Sequence, residues 1–298
     1  MITRRHMMTG TGAILAGVAL GGTRPSFAAG PGVGELAGSL ARIEAGSGGR
    51  LGVAILDTAT GARSGHRADE RFPMCSTFKL LATGAVLARV DAGREHLDRR
   101  IRFAAADLVA YSPVTKLHAD GEGMTLDEIC EAALTDSDNT AANLLLAALG
   151  GPSTITAFAR TLGDRVTRLD RIEPALNEAI PGDPRDVTTP GAMLADLRRL
   201  ALGDVLSAAS RGQFIRWLMA NKTGDERLRA GLPAGWRVGD KTGSGDHGST
   251  NDVALIWPPD RAPILVSVYL TETKAPSDRR NATLAAVGRA VAEAVGGV

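Results

Sequence analysis

The chain is poor in cysteine, in aromatic residues and in net charge. Its 298 residues include two cysteines and 4% aromatic residues, and the net charge is +1. Two cysteines cannot form the disulfide framework of a small secreted scaffold. A nearly neutral chain without long like-charge runs offers no strong attraction for nucleic acid or an anionic membrane. With 44% hydrophobic residues, the chain can instead bury a sizeable core in one or two domains.

The sequence also lacks the motifs of two common hydrolase classes. Its five histidines show neither H-x-H nor H-E-x-x-H spacing; they are His6, His66, His96, His118 and His247. No clear G-x-S-x-G elbow is present, which disfavours a Ser-His-Asp hydrolase. We therefore expect no metal and no other cofactor.

The N-terminus has the order of an export signal. Arg4 and Arg5 precede an apolar run over 13–20, and a small-residue site follows near residue 28. The paired arginines fit the twin-arginine type of signal, although a merely disordered N-terminus is the alternative. We expect residues 1–28 to be removed and the mature protein to be periplasmic or secreted. No later segment is long and apolar enough to cross a bilayer.

Strand-rich ends flank a helical middle. Residues 50–69 predict a β-hairpin, and three further strands are predicted between 235 and 273, before a C-terminal amphipathic helix that begins near Ser277. We expect an α+β fold with one antiparallel five-stranded sheet. Residues 29–68 and 220–298 would form a discontinuous α/β domain and residues 69–219 an all-helical domain, with the active site in the cleft between them.

A serine and a lysine stand one helical turn apart near the start of the middle region. Ser76 and Lys79 form an S-x-x-K motif, and Lys79 is the one charge in an apolar helical run from Thr77 to Ala88. Their side chains lie on one helix face and can meet. A buried ammonium must be paired or lose its proton, and both states suit a nucleophilic serine. Many S-x-x-K lysines are nevertheless solvated surface residues.

Two further motifs are ambiguous when each is taken alone. Ser137-Asp138-Asn139 could be a helix N-cap cluster, and Lys241-Thr242-Gly243 could be a surface turn. S-x-x-K, S-D-N and K-T-G in this order are, however, the motif set of class A β-lactamases and penicillin-binding proteins. The chain resembles a class A serine β-lactamase from about Gly34 to its C-terminus. That resemblance implies the fold above and hydrolysis of penicillins and cephalosporins through a serine acyl-enzyme.

A D,D-peptidase and a non-hydrolytic lactam-binding sensor share the acylating serine and lysine. The segment "RIEPALNEAIPGDPRD" favours the hydrolase, because Glu173 and Asn177 are four residues apart and could hold one water for deacylation. By resemblance this segment is a loop that closes the site, with a cis bond before Pro174 and an ion pair between Arg171 and Asp186. A solvated acidic loop is the alternative interpretation.

The resemblance also implies roles for the remaining residues. Ser76 would be the nucleophile, and Lys79, Ser137, Glu173 and Lys241 would move protons or hold the local field. The substrate would contact Asn139, Asn177, Thr242, Gly243, Ser244, Thr250, Tyr111 and Arg227. Arg227 would supply the guanidinium that many members place where this chain has Thr250; a solvated arginine is the alternative.

Two departures from the family concern cysteine. Some carbapenem-hydrolysing members bond the equivalent of Cys75 to a cysteine where this chain has Gly245, and other members pair the equivalent of Cys130 with a cysteine near Thr83. Neither partner is present here, so we expect two free thiols. The expected partner is a small β-lactam, with no nucleic acid and no membrane span after signal removal, and the expected state is a monomer.

Overall fold

The computed structural model describes residues 33–296, so the predicted export signal lies outside the described residues. The helices are α1 (Val33–Ser47), α2 (Phe78–Asp91), α3 (Leu126–Thr135), α4 (Asn139–Leu149), α5 (Pro152–Thr161), α6 (Pro190–Leu202), α7 (Ala208–Met219) and α8 (Ser277–Gly296). The strands are β1 (Arg50–Asp57), β2 (Arg63–His66), β3 (Phe72–Pro73), β4 (Arg100–Ile101), β5 (Met124–Thr125), β6 (Val187–Thr188), β7 (Arg237–Ser244), β8 (Thr250–Trp257) and β9 (Ile264–Thr271).

The main sheet has five antiparallel strands in the order β2-β1-β9-β8-β7. Strand β9 pairs along its whole length with β1 and from Ile264 to Leu270 with β8, and Val268 lies opposite Val53 on one side and Asp252 on the other. All eight residues of β9 are buried. A strand covered on both faces needs apolar residues at nearly every position, which explains the continuous run "ILVSVYLT". The prediction of a five-stranded antiparallel sheet is confirmed.

Helices cover both faces of this sheet. Val53 and Ile55 pack in one core cluster with residues of α1 and α8, whereas Ala54 and Leu56 pack in the other cluster with residues of α2 and α6. This division follows the alternation of side chains along a strand. The middle of the chain therefore packs directly on the sheet through α6, in addition to the terminal helices that the sequence predicted.

Short pairs complete the middle region. Strand β3 pairs with β6, and β4 pairs with β5.

Within residues 33–296, no single helix meets the length and hydropathy expected of a membrane span; only α4 and α5 meet them jointly, and these two are bent by 71° at their junction.

Candidate active site

A tight turn presents the serine ahead of a buried helix. Residues Cys75–Thr77 form one short 3-10 turn, and α2 continues from Phe78. Cys75 adopts a positive φ of 45°, which redirects the chain as it enters the turn. Ser76 retains 7% exposure, whereas Lys79 is fully buried. The candidate nucleophile Ser76 is thus slightly exposed to solvent, and Lys79 lies beneath it.

The buried ammonium of Lys79 has three oxygen partners. Its Nζ donates to Ser137 O and Asn139 Oδ1, both at 2.7 Å, and lies 3.1 Å from Glu173 Oε1. Burial lowers the pKa of Lys79, and the Glu173 carboxylate opposes this shift. These contacts explain why an apolar helix tolerates a lysine: a separate loop supplies its counter-charge.

Ser76 and Lys79 meet at a shared oxygen. Ser76 Oγ donates to Glu173 Oε1 at 3.1 Å, the same atom that Lys79 contacts. Among the described residues no hydrogen bond joins Ser76 to Lys79, so the direct contact predicted from the sequence is replaced by one through the carboxylate. The reason is geometric, because Glu173 Oε1 stands within reach of both groups.

The loop that carries Glu173 is anchored at its neck and at Glu173 itself. At the neck, Arg171 Nε donates to Asp186 Oδ2 at 2.6 Å, and the Glu173–Pro174 bond is cis, both as the resemblance implies. Asn143 of α4 makes two hydrogen bonds to the backbone of Glu173. Its Nδ2 donates to the Glu173 carbonyl and its Oδ1 accepts from the Glu173 amide, each at 2.9 Å. Asn177 Nδ2 donates to Glu173 Oε2.

Sequence reasoning missed Asn143. It stands four residues after Asn139, so both amides project from one face of α4. That helical spacing was the available signal.

The S-D-N motif divides its roles. Asp138 is the N-cap of α4, with its carboxylate accepting from the Ala141 amide at 2.8 Å, so the capping interpretation holds for this residue. Ser137 instead has a positive φ of 58° and accepts a hydrogen bond from Lys241 Nζ at 3.0 Å. Burial lowers the pKa of Lys241, and the nearby Lys79 and Arg227 cations lower it further.

A cavity of about 650 Å³ joins these groups. Its lining includes nine residues predicted from the sequence: Ser76, Tyr111, Ser137, Asn139, Asn177, Arg227, Thr242, Gly243 and Ser244. It also includes five residues that the sequence did not indicate: Lys222, Thr223, Asp225, Glu226 and Asn281. Lys79 and Lys241 lie just beneath this lining. Tyr111 is 60% exposed at its edge.

Arg227 and Thr250 are placed differently. Arg227 donates to the carbonyls of Gly243 and Asn251 and, through Nη2, to Ser244 Oγ at 2.7 Å. Thr250 is 2% exposed and donates to Gly248 O at 3.3 Å. It lies opposite Ser244 across the β7–β8 pair but is not among the residues that line this cavity.

Another cavity, of about 710 Å³, lies away from this chemistry. It runs along α6 and contains Asp164 and Asp196, and none of the predicted site residues line it. We place the candidate active site in the smaller cavity, because it is lined by Ser76, whose hydroxyl binds the loop carboxylate, and by Ser137, which accepts a hydrogen bond from Lys241. Within the described part of the chain, no cluster of three or more metal-ligating side chains occurs.

Both cysteines are free, as expected, and the structure also buries both completely. Gly245 leaves room for the Cys75 side chain, because a Cβ at Gly245 would lie 2.7 Å from Cys75 Sγ.

The comparisons with known proteins agree with this geometry. The model described as "Beta-lactamase enzyme family" matches residues 35–295. The chain is 51% identical over 254 residues to β-lactamase CTX-M-8 of Citrobacter amalonaticus, covering 85% of this chain and 87% of that one. It is 54% identical over 256 residues to β-lactamase AST-1 of Nocardia asteroides, covering 86% and 82%.

A solved structure titled an ancestral class A β-lactamase superposes with a TM-score of 0.86 at 68% identity, covering 87% of this chain and 99% of the other. The five-stranded sheet, the buried lysine behind a serine and the loop carboxylate define a serine enzyme of the acyl-transfer class. Within that class, the chain belongs to the class A β-lactamase family.

Proposed function

We propose that this enzyme hydrolyses the β-lactam amide of penicillins and cephalosporins through an acyl-enzyme on Ser76, and so confers β-lactam resistance. The observation that carries the proposal is one carboxylate: Glu173 binds the Ser76 hydroxyl and the Lys79 ammonium through Oε1 and the Asn177 amide through Oε2. The family relationship supports the same reaction.

In the acylation step, Ser76 Oγ attacks the lactam carbonyl and loses its proton. Glu173 is positioned to take this proton directly, because Ser76 Oγ donates to its Oε1. Lys79, which contacts the same Glu173 oxygen and whose pKa is lowered by burial, is the alternative base. The oxyanion would be held by the backbone N–H groups of Ser76 and Ser244.

Ring opening requires a proton on the departing lactam nitrogen. Ser137 is suited to deliver it, because its hydroxyl lines the cavity and is contacted by Lys241 at 3.0 Å. Lys241 would hold a positive field at this point and stabilise the Ser137 alkoxide that is left by the donation. The proton that Glu173 took from Ser76 would then return to Ser137 through solvent in the cavity, which leaves Glu173 ionised for deacylation.

Deacylation separates a hydrolase from an acylated target. A D,D-peptidase or a sensor needs only the acylating half of the site, whereas a hydrolase needs a base and a water on the acyl-enzyme. Asn177 lines the cavity and donates a hydrogen bond to the buried Glu173, and Asn177 Oδ1 is buried without a hydrogen-bond partner among the described residues. A water bound to both residues would satisfy that oxygen and be activated by Glu173.

The substrate carboxylate is best accommodated where β7 and Arg227 line the cavity. Thr242, Ser244 and Arg227 bring two hydroxyls and a guanidinium together there. Asn139 would bind the substrate's side-chain amide, and exposed Tyr111 would cover the side chain itself.

We also infer the setting of the enzyme. Residues 1–28 would direct export, and the mature chain would act as a monomer outside the cytoplasm. We keep as a proposal the division into an α/β domain (29–68 with 220–298) and a helical domain (69–219). The active-site groups support it, because Ser76 and Glu173 come from the second part and Lys241 from the first.

The test is turnover of a chromogenic cephalosporin combined with intact-protein mass. We expect steady turnover by the native enzyme, no mass adduct with Ser76→Ala, and a persistent adduct with Glu173→Gln, in which Lys79 remains to take the serine proton during acylation. A stoichiometric burst without turnover by native protein would instead identify a sensor or a D,D-peptidase, and normal turnover by Glu173→Gln would remove the carboxylate from deacylation.

A further inference from the structure

Thr223 lines the cavity next to Thr242, yet no motif includes it. Its hydroxyl lies within hydrogen-bonding distance of two oxygens, Thr242 Oγ1 and Asn221 Oδ1, the latter at 2.8 Å. Asn221 is 4% exposed and Thr242 is 3% exposed. Thr223 therefore connects a buried amide to a hydroxyl that faces the substrate.

The orientation of the buried amide is fixed from below. Asn221 Nδ2 donates to Asp240 Oδ2 at 2.8 Å, and the other Asp240 oxygen accepts from the Arg229 guanidinium at 2.8 Å. The Asn221 carbonyl oxygen must then face Thr223. There it also accepts the Thr223 backbone N–H at 3.1 Å.

Proton counting gives the hydroxyl chain two directions. A threonine hydroxyl has one proton and can accept as well. If Thr223 donates to Asn221, Thr242 must donate to Thr223 and presents only lone pairs to the cavity. If Thr223 donates to Thr242, the Thr242 proton points into the cavity, and Asn221 Oδ1 keeps its backbone donor.

A carboxylate can accept hydrogen bonds but cannot donate them, so it binds only the second arrangement. We propose that Thr223 is a positioning residue that reverses this chain and turns the Thr242 proton toward the carboxylate of an anionic lactam. In the reversed chain Thr242 accepts from Thr223 while it donates to the substrate, and each bond polarises and strengthens the next. This inference rests on the proposed function.

The experiment compares Thr223→Val with Thr223→Ser, using a penicillin and its neutral methyl ester. With Thr223→Val we expect KM for the acid to rise about fivefold while kcat stays within about twofold, the size of one lost hydrogen bond in ground-state binding. Thr223→Ser should restore the native KM, and KM for the ester should not change in either variant. Thr223→Ala serves in place of the valine variant if the latter does not fold.

A second comparison tests whether Thr223 acts through its neighbour. In a Thr242→Val background, Thr223→Val should have no further effect on KM, because the chain is already broken at the substrate end. A KM increase that persists there, or that is equal for acid and ester, would overturn the inference. Absence of turnover by the native enzyme would overturn the proposed function and this inference together; native turnover with an unchanged KM in Thr223→Val would overturn this inference alone.

Discussion

Arg227 is held in place by three oxygen acceptors beside the cavity, the carbonyls of Gly243 and Asn251 and the hydroxyl of Ser244. The planar guanidinium satisfies these acceptors and still lines the cavity, which an ammonium on a flexible stem cannot do as well. The position of the charge is thus fixed before any substrate arrives.

Replacing this arginine should mainly weaken binding of anionic lactams. For Arg227→Ala we expect KM to rise about tenfold, and for Arg227→Lys by a smaller factor, because the lysine keeps the charge and loses the fork. Steady-state kinetics measure both variants. Lys222→Ala is the matched control, since Lys222 lines the same cavity but its side chain is 68% exposed and pairs with Asp136. Equal effects from Arg227 and Lys222 would assign the binding to general charge.

Among single residues, sequence patterns could identify only those whose spacing indicates that their side chains act together. Ser76 and Lys79 were identifiable because a lone charge in an apolar helix needs a reason. Thr223 was not, because its role depends on Asn221 and Thr242, and that neighbourhood is created by folding. Thr250 was assigned by resemblance to a position, and its side chain bonds to its own turn.

Among the elements, α8 lies unusually close to the turn over Leu228–Gly231. A Cβ at Gly288 would lie 2.4 Å from Leu228 O, and a Cβ at Gly231 would lie 1.9 Å from Ala285 O. Both obstacles are backbone atoms, which cannot move aside by changing a rotamer. The two glycines allow the C-terminal helix to pack against this turn.

Gly288→Ala should therefore destabilise the protein although alanine favours helices. We expect the free energy of unfolding to fall by about 1–3 kcal/mol, because overpacking outweighs the gain in helix propensity. Gly38→Ala is the control: Gly38 lies in α1, where an added Cβ would meet no neighbouring side chain or distant backbone within 4 Å, and we expect a gain of up to about 1 kcal/mol. Denaturant unfolding measures both variants. A stabilising effect of Gly288→Ala would contradict the close approach of α8 to the turn.

A buried carboxyl pair joins α6 to the turn that follows α5. Asp196 is 1% exposed, and neither of its oxygens has a hydrogen-bond partner among the described residues. Burial and the adjacent Asp164 carboxylate raise the pKa of Asp196 to about 9, and Arg160 and Arg199 oppose this shift. Asp196 is therefore protonated in the folded enzyme at neutral pH.

This proton makes stability depend on pH. Because the pKa of Asp196 is 3.8 when unperturbed and about 9 when folded, its stabilising contribution is complete below about pH 4 and is lost as pH rises to about 9. Asp196→Asn removes the dependence. The stability of that variant relative to native protein should increase by about 1.4 kcal/mol for each pH unit between about pH 5 and about pH 8.

Denaturant unfolding across this range measures the difference. Asp204→Asn is the control, because Asp204 lines the same cavity of about 710 Å³ as Asp196 but is exposed. A constant difference between Asp196→Asn and native protein would show that Asp196 is ionised in the fold.

Elements with a clear period were predictable, and elements defined by a partner were not. The hairpin β1–β2, strands β7–β9 and helix α8 follow from runs of apolar residues and turn signals. The two-residue pairs β3–β6 and β4–β5 carry no period, because each exists only where distant segments meet. The packing of α6 on the sheet was likewise not visible in its own pattern.

In the whole molecule, the two thiols report on global unfolding. Cys75 and Cys130 are both fully buried, and burial raises the pKa of each. We expect no reaction with a disulfide reagent in the native protein and modification of both thiols after denaturation, with the same melting temperature in the presence and absence of reductant. Rapid labelling of either thiol in the native state would contradict the packing around it.

The overall architecture was predictable because strand and helix regions alternate in long blocks. The cleft was predictable only through the resemblance, since no local pattern states which loop reaches which helix. The core cluster that joins α2 and α6 to β1 and β9 ties the helical part to the sheet.

Strand β9 lies between β1 and β8 although it is the last strand of the chain. Before β9 has been translated, the nascent chain already contains Ser76, Lys79 and Lys241, but the β1–β2 hairpin still lacks β9, its neighbour in the sheet. An isolated hairpin is at best marginally stable in water. We therefore expect no partial activity from a chain that ends before Ile264, and we expect nascent chains to complete the central sheet only near the end of translation.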